Sequence, residues 1–264
     1  MEKINESHTS DSEPEEINNS HTQIDSDEMD ETWIVNQTLM IIVNAKKHRC
    51  LDDLCRLLLP GFLADHNCDP ETLFQLVNEH EDREKYLLVL AFLHGYGIGT
   101  SINATKAFEC YFKSAELGDP IGMQETGYCL HKSIGTRHNK VQAEFWYKKA
   151  AAKDMELAQY ELALIYMNRY DEDQGVFWLE KSAYAGFNES SEFLAETYFA
   201  SGDYRRAFYW YRILFGDGKE VGRDGLAVCH KDGLGTVKDI HRAIKCLLIP
   251  SLEASYVLYE IFNE

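Results

Sequence analysis

The sequence predicts an all-α fold, namely an α-solenoid of about five antiparallel helix pairs plus a terminal helix, preceded by an N-terminal helical cap. Two series of small residues predict the pairs, because two helices approach closely only where a small side chain faces a large one. The first series has spacings of 36, 36, 32 and 32 residues and consists of Ala91, Gly127, Ala163, Ala195 and Ala227. The second follows the first by 16 or 12 residues and consists of Ala107, Ala143, Gly175, Ala207 and Ala243.

Bulky aromatic residues near the second series supply the large partners for these contacts. One helix pair alone leaves an apolar face exposed, so successive pairs are expected to stack into a right-handed superhelix. The two offsets predict a long loop inside repeats one, two and five, and a short loop inside repeats three and four. The aromatic residues in question are Tyr111, Trp146, Tyr147, Trp178, Trp210 and Tyr211.

Three segments are expected along the chain. Residues 1–30 are rich in Glu, Asp, Ser and Asn and have few large apolar side chains, so they predict a disordered acidic tail. Residues 31–82 match the repeat poorly and predict the helical cap. Residues 83–264 predict the repeat domain, whose last helix lies in the stretch EASYVLYEIF.

The cap is expected to hold three helices. Apolar spacing predicts the first over residues 31–47 and the second over residues 51–59, ending before Pro60 and Gly61. The third is expected to begin where Asp69 can cap the helix and Pro70 can occupy its first turn.

The net charge of −18 is concentrated at the N-terminus, where residues 1–31 carry eleven acidic residues against Lys3. An acidic chain without a basic face argues against a nucleic-acid partner. The most apolar stretch, residues 33–43, is far shorter than the ~20 residues of a membrane-spanning helix. Seven cysteines in no even framework are typical of reduced thiols. We therefore expect a cytoplasmic protein without a membrane partner.

The glycines of the stretch GYGIGT, residues 95–100, raise the possibility of a phosphate-binding loop. Such a loop needs a preceding strand and a different glycine spacing, whereas this stretch follows a predicted helix. Gly97 and Gly99 are instead expected to provide the backbone angles of a turn between helices. We accordingly expect no nucleotide and no other cofactor.

One set of residues contains the side-chain types that bind zinc: His48, Cys50, Cys55, His66 and Cys68. Its spacing matches no standard zinc site, and buried packing thiols are the alternative interpretation. No serine or cysteine has an evident base at a meaningful spacing, so we expect no enzyme. A regulatory subunit or metal-dependent enzyme that uses this cap is the alternative function.

The repeat pattern resembles the Sel-one-like repeat family, relatives of the tetratricopeptide repeats, over roughly residues 84–262. The resemblance implies a non-enzymatic adaptor or scaffold that binds a protein or peptide. Similarity to fungal cytoplasmic members implies a role in signalling, with a protein kinase as one candidate partner. Repeats three and four lack the glycine loop and are more like ordinary tetratricopeptide pairs. The matching residues are Gly97 and Gly99, Gly233 and Gly235, Lys106–Ala107, the run WYKKAA (residues 146–151) and the run AQYELALIY (residues 158–166).

The helical wheel predicts a partner-binding groove along the first helix of each pair, on the face opposite the small residues. The groove changes from aromatic to acidic along the repeats, so a partner with apolar anchors and Lys or Arg is expected. The alternative is that some of these side chains only fill gaps between neighbouring pairs. The predicted residues are Leu88, Phe92, Gln124, Tyr128, Tyr160, Leu164, Glu189, Glu192, Glu196 and Asp224, with Ile121, His131, Leu157 and Met167 on the same face.

Overall fold

The computed structural model describes residues 26–47, 58–80 and 83–248, and these residues form thirteen α-helices and no β-strand. The first three helices form the cap: α1 (Ser26–Lys47), α2 (Leu59–Asp65) and α3 (Pro70–Glu79).

Five antiparallel helix pairs follow the cap, which confirms the predicted fold class. The second helix of each pair contacts its own first helix and the first helix of the next pair. The pairs are α4 (Glu84–Tyr96) with α5 (Ala104–Glu116), α6 (Pro120–Lys132) with α7 (Lys140–Ala151), α8 (Glu156–Met167) with α9 (Glu172–Tyr184), α10 (Asn188–Ala200) with α11 (Tyr204–Gly216), and α12 (Glu220–Asp232) with α13 (Ile240–Leu247). The predicted terminal helix falls in residues 249–264, outside the described residues.

The loops inside the pairs have the predicted two lengths, long in repeats one, two and five and short in repeats three and four. In the first long loop, Gly97 and Gly99 have φ values of 71° and 65°, in the left-handed region that glycine adopts without steric cost. A side chain at Gly99 would place its Cβ 2.0 Å from the carbonyl oxygen of Pro70. The glycine therefore permits both the turn and a close approach to the start of α3.

Every second helix begins with a side-chain cap of the same type. An Asp or Asn oxygen accepts a hydrogen bond from the backbone amide three residues later, which contributes about 1 kcal/mol to helix stability. These caps are Asn103 to Lys106 (3.0 Å), Asn139 to Gln142 (3.1 Å), Asp171 to Gln174 (3.2 Å), Asp203 to Arg206 (3.2 Å) and Asp239 to Arg242 (3.0 Å).

The helices of the cap differ in part from the sequence prediction. The expected start of α3 is confirmed, because Asp69 accepts a hydrogen bond from the Thr72 amide at 2.8 Å. The expected end of the second helix is wrong, because Pro60 lies in the first turn of α2. Proline is tolerated there because the first amides of a helix have no carbonyl partner. Helix α1 begins at Ser26, within the segment expected to be a tail. Residues 1–25 and 48–57 lie outside the described residues.

Helix α3 takes the place that a second helix takes in the repeats. It begins with the same type of cap, and the loop after α4 approaches its first carbonyl through Gly99. The Phe74 ring also meets the His94 ring edge to face at 5.2 Å. Repeat five makes the equivalent contacts with the end of repeat four: Gly235 with Tyr204, and Phe208 with His230 at 5.4 Å. The cap therefore presents the surface of a preceding half repeat to α4.

The predicted small-to-large contact at Gly127 joins the two helices of repeat two, and a second contact of this kind, at Gly225 outside the predicted series, joins α11 of repeat four to α12 of repeat five. A Cβ built on Gly127 would lie 2.8 Å from the ring of Tyr147, and one built on Gly225 would lie 2.4 Å from the ring of Tyr211. Both rings are buried. The two aromatic side chains therefore occupy the volume that a methyl group on the facing helix would need.

This packing predicts that Gly127→Ala destabilises the fold. The new methyl group overlaps the buried Tyr147 ring, so we expect the free energy of unfolding to fall by about 1–3 kcal/mol. The measurement is urea unfolding followed by circular dichroism. Gly216→Ala is the control, since nothing lies within 4 Å of its added Cβ, and it should leave stability unchanged or slightly higher. Equal losses in the two variants would contradict this explanation.

Two buried histidines predict a loss of stability in mild acid. Burial, and then the nearby charges of Lys106 and Arg242, hold the pKa values of His94 and His230 below the ordinary 6.5. The unfolded chain therefore binds these protons more readily, so the free energy of unfolding should fall as the pH drops below 6.5.

The measurement is urea unfolding at about pH 7.5 and about pH 5.5, across the range where histidine titrates. The double variant His94→Leu/His230→Leu should lose less stability between these two pH values than the unmodified chain does. His241→Leu, at an exposed position, is the control and should retain the full pH dependence. The same pH dependence in all three proteins would overturn the assignment.

Candidate functional site

Helix α6 contacts α8 directly, and each first helix is joined to the next through the second helix between them. We call the surface formed by α6, α8, α10 and α12 the first-helix face. These four helices carry nine Asp or Glu against three Lys or Arg, so their net charge is −6.

The predicted groove residues of repeat one do not reach this surface. Leu88 and Phe92 are 3% and 0% exposed and belong to the same hydrophobic core as Val35 and Ile42 of α1. Helix α1 packs on α4 and is held beside it by a hydrogen bond from Lys85 Nζ to Asn36 Oδ1 at 3.1 Å. Leu88 and Phe92 are therefore core residues, and the prediction that they line a groove is corrected.

In repeats two and three the predicted residues are partly covered. Gln124 is buried, and its amide donates to Glu125 Oε1 at 3.4 Å. Tyr128, Tyr160 and Leu164 are half-buried, as are Ile121, His131, Leu157 and Met167. The Tyr160 ring lies 5.2 Å from that of Phe187, so it packs against the turn that precedes α10.

The acidic residues predicted in repeats four and five have different surroundings. Glu196 is exposed, and Glu189 and Glu192 are half-buried. Asp224 is engaged by its own helix, since Arg223 Nε donates to Asp224 Oδ1 at 2.9 Å and the Arg223 side chain is buried. The charge of Asp224 is thus largely balanced, which leaves repeat four as the most acidic part of the predicted groove.

The structure also reveals an acidic cluster that the helical wheel did not predict. Glu161 of α8 is 8% exposed, and its Oε2 lies 3.5 Å from Nδ1 of His131 on α6. The two atoms are within ion-pairing distance but are not aligned for a hydrogen bond. Glu161 belongs to neither set of helical-wheel positions, and only its contact across the two helices could have revealed its place.

Tyr147, on the second helix of repeat two (α7), is the third member of this cluster. Its ring is buried against Gly127, and its hydroxyl has no hydrogen-bond partner among the described residues. Burial, followed by the negative charges of Glu161 and Glu125, raises the pKa of this hydroxyl well above its usual value. A neutral hydroxyl and carboxylates converge where α6 meets α8, an arrangement that favours a cation.

The cap residues considered for zinc lie partly outside the described residues, namely His48, Cys50 and Cys55. The His66 ring packs against Trp33 at 5.0 Å and Phe62 at 4.6 Å, and its Nδ1 donates to the Phe62 carbonyl oxygen at 2.8 Å. Burial raises the pKa of the Cys68 thiol. Both side chains thus serve packing. No group of three or more His, Cys, Asp or Glu suited to a metal ion occurs in the described part of the chain.

Buried serines on the other side of the stack are also structural. Ser190 Oγ donates to Ser182 Oγ at 2.7 Å, and Ser182 Oγ in turn donates to the carbonyl oxygen of Glu156 at 2.7 Å. These bonds join α8, α9 and α10, and they satisfy the two buried hydroxyls.

None of the thirteen helices in the described residues combines the length and the apolar composition that a membrane-spanning helix needs.

Curated relatives match large parts of the chain. It is 27% identical over 217 residues, 76% of its length, to chitin synthase regulatory factor 3 of Schizosaccharomyces pombe. It is 25% identical over 123 residues, 46% of its length, to a putative Sel1-like repeat-containing protein of Acanthamoeba polyphaga mimivirus. The matches span 22% and 23% of these relatives' own lengths.

Two solved structures share the fold. A protective antigen of uropathogenic Escherichia coli with an SLR fold superposes with a TM-score of 0.62 and 20% identity, covering 82% of this chain and 52% of the antigen. A Sel1 repeat protein from Oxalobacter formigenes superposes with a TM-score of 0.65 and 17% identity, covering 74% of this chain and 61% of that protein.

The family model of the Sel1 repeat matches five segments that follow the helix pairs: residues 87–119, 120–155, 157–187, 197–213 and 223–249. The chain therefore belongs to the Sel1 repeat family, whose members generally act as scaffolds for protein interactions.

Proposed function

We propose that the protein is a non-enzymatic adaptor whose first-helix face binds a protein segment carrying Lys or Arg together with apolar side chains. The observation that carries this proposal is the net charge of −6 on α6, α8, α10 and α12, combined with the half-buried rings of Tyr128 and Tyr160 on the same face.

The two parts of this surface have different roles in binding. Partly covered aromatic rings offer apolar area at little entropic cost, and such anchors dominate the affinity of interfaces. Exposed carboxylates such as Glu196 add at most about 1 kcal/mol each, but they raise the association rate for a basic partner. Repeat four thus attracts and orients the segment, and the rings of repeats two and three hold it.

The acidic cluster is the proposed receptor for one cationic side chain. Glu161 lies beside His131, and the unpartnered hydroxyl of Tyr147 is directed toward the same pair of helices. A Lys or Arg that entered here would pair with Glu161 and donate a hydrogen bond to the oxygen of the Tyr147 hydroxyl. The desolvated surroundings make such a contact stronger than one at the rim.

The comparisons support an adaptor acting on other proteins. The fungal relative is named as a regulatory factor of chitin synthase, which describes control of an enzyme by another protein. A protein kinase is a further candidate for the partner, on the family resemblance. We place this interaction in the cytoplasm, where cysteines such as the buried Cys229 remain free thiols.

The proposal predicts the chemistry of the peptides that the chain selects from a random library displayed on phage. The enriched peptides should carry net positive charge and at least one large apolar side chain. In the double variant Glu192→Lys/Glu196→Lys, their affinity measured by fluorescence anisotropy should fall about tenfold or more.

The matched control is Glu109→Lys/Glu116→Lys, which changes the net charge equally at exposed positions of α5, on the opposite side of the stack. It should leave the affinity for the selected peptides unchanged. Enrichment of neutral or acidic peptides alone, or equal losses in the two double variants, would refute the assignment of this face.

Tyr147→Phe separates stability from binding. Removing a buried hydroxyl that lacks a partner should raise the free energy of unfolding by about 1 kcal/mol in urea. The same variant should bind the selected basic peptides more weakly, because the cluster loses a polar group directed toward the partner's cation. Lower stability with unchanged affinity would show that the hydroxyl serves the fold and has no role in recognition.

A further inference from the structure

The second helices of the three central repeats carry a row of exposed aromatic side chains on the side opposite the first-helix face. Phe145, Phe177 and Tyr209 each lie six residues after the capping residue of α7, α9 and α11, and they are 49%, 46% and 45% exposed. We call these three side chains the aromatic ladder. An exposed ring therefore recurs at one register position in three successive repeats.

The fold does not require these rings. The same position holds Glu109 in repeat one and Lys245 in repeat five, where the helices α5 and α13 form in the same way. The adjacent position, filled by Trp146, Trp178 and Trp210, provides the packing under the ladder, and each ladder ring meets its tryptophan edge to face at 5.1–5.2 Å. An aromatic side chain at this position is therefore not needed for the repeat to fold.

Cationic side chains lie on and beside the ladder. Lys149 Nζ is 4.5 Å from the centre of the Phe145 ring, and Lys181 Nζ is 5.5 Å from that of Phe177. Helical spacing places Arg205 and Arg212 one turn before and after Tyr209. None of these four cations forms an ion pair with a carboxylate in the described part of the chain, although Asp173 lies one turn before Phe177.

The carboxylates nearby are already engaged. Glu144 pairs with Lys148 at 2.8 Å and with Arg169 of the loop before α9, and these partners lower its pKa. Glu180 accepts a hydrogen bond from the Tyr198 hydroxyl at 3.3 Å. Taken together, α5, α7, α9, α11 and α13 carry eleven Lys or Arg against six Asp or Glu, a net charge of +5 in a chain whose total is −18.

A further aromatic side chain, Tyr184, contacts the ladder position of repeat four. The Tyr184 side chain at the end of α9 is exposed, and its ring lies 5.2 Å from that of Trp210 on α11. Partial loss of water contact, and then a hydrogen bond with Tyr209, raises the pKa of the Tyr184 hydroxyl. Tyr184 thus brings an exposed ring of repeat three against the aromatic side chains of repeat four.

We infer that the aromatic ladder is a second docking surface, and that it takes an acidic amphipathic segment of a partner protein. Apolar side chains of that segment pack on the three rings, and its carboxylates pair with Lys149, Lys181, Arg205 and Arg212. Lysines that lie over aromatic rings keep their charge available above an apolar surface, which is the complement of an acidic and apolar sequence. This inference concerns the opposite side of the stack and does not rest on the proposed function.

The test uses three fluorescent peptides of equal length with the full chain at physiological ionic strength. One is an amphipathic peptide of Glu, Leu and Phe in a helical pattern, one has Lys in place of Glu, and one is oligoglutamate. Fluorescence anisotropy should show that the first binds about tenfold or more tightly than oligoglutamate. The lysine peptide should not compete with the Glu, Leu and Phe peptide. The double variant Glu192→Lys/Glu196→Lys should bind the Glu, Leu and Phe peptide as tightly as the unmodified chain does.

The triple variant Phe145→Ser/Phe177→Ser/Tyr209→Ser should weaken binding of the Glu, Leu and Phe peptide about tenfold or more. The matched control replaces three side chains that are more exposed but lie off the ladder: Leu117→Ser/Tyr170→Ser/Val237→Ser. It should bind this peptide as the unmodified chain does. If circular dichroism shows that the triple ladder variant does not fold, the double variant Lys149→Glu/Lys181→Glu replaces it. This variant should also bind the Glu, Leu and Phe peptide about tenfold or more weakly.

Three results would overturn the inference. One is that the Glu, Leu and Phe peptide binds no better than oligoglutamate or is displaced by the lysine peptide. The second is that ladder and control variants lose affinity equally. The third is that sedimentation shows a dimer of the full chain that the ladder substitutions dissociate, because the occupant is then a second copy of this chain.

Discussion

The structure depends on the close approach of two helices at a glycine or alanine that faces a buried ring. At Gly127 the ring of Tyr147 fills the volume that any side chain would occupy, and Tyr211 does the same opposite Gly225. Because protein interiors are packed as densely as organic crystals, this contact fixes both the distance and the rotation of the two helices. Once the rotation is fixed, each remaining position points either to the next pair or to solvent.

The same constraint explains how the stack begins. A first helix needs a second helix on its preceding side, and in repeat one this is α3, which contacts α4 through Gly99 and through the Phe74 and His94 rings. Helix α1 then covers the other exposed part of α4. Terminal units of a solenoid need such covers because their apolar surfaces have no further repeat to bury them. The cap therefore has two functions: α3 acts as a half repeat before α4, and α1 covers the apolar surface of α4.

The fold could be predicted from the sequence because the small residues recur in register, and so could the loop glycines and the cap at Asp69. The site could be predicted only in part. The helical wheel correctly placed Leu88 and Phe92 on one face of α4. Helix α1 covers that face, and its position depends on contacts between segments that are distant in sequence. Asp224 and Glu161 show the same difficulty, since their roles depend on Arg223 and on His131 across a helix interface.

The two sides of the stack acquire opposite charge because their solvent-facing positions do not pack against another helix. Positions that face another helix must be small or apolar, whereas a solvent position holds Glu109 in one repeat and Phe145 in the next without altering the helix. Acidic residues are concentrated on the first helices, and lysines, arginines and exposed rings on the second helices. The two proposed docking surfaces would therefore select partners of opposite charge by electrostatic complementarity, while the core that separates them stays the same.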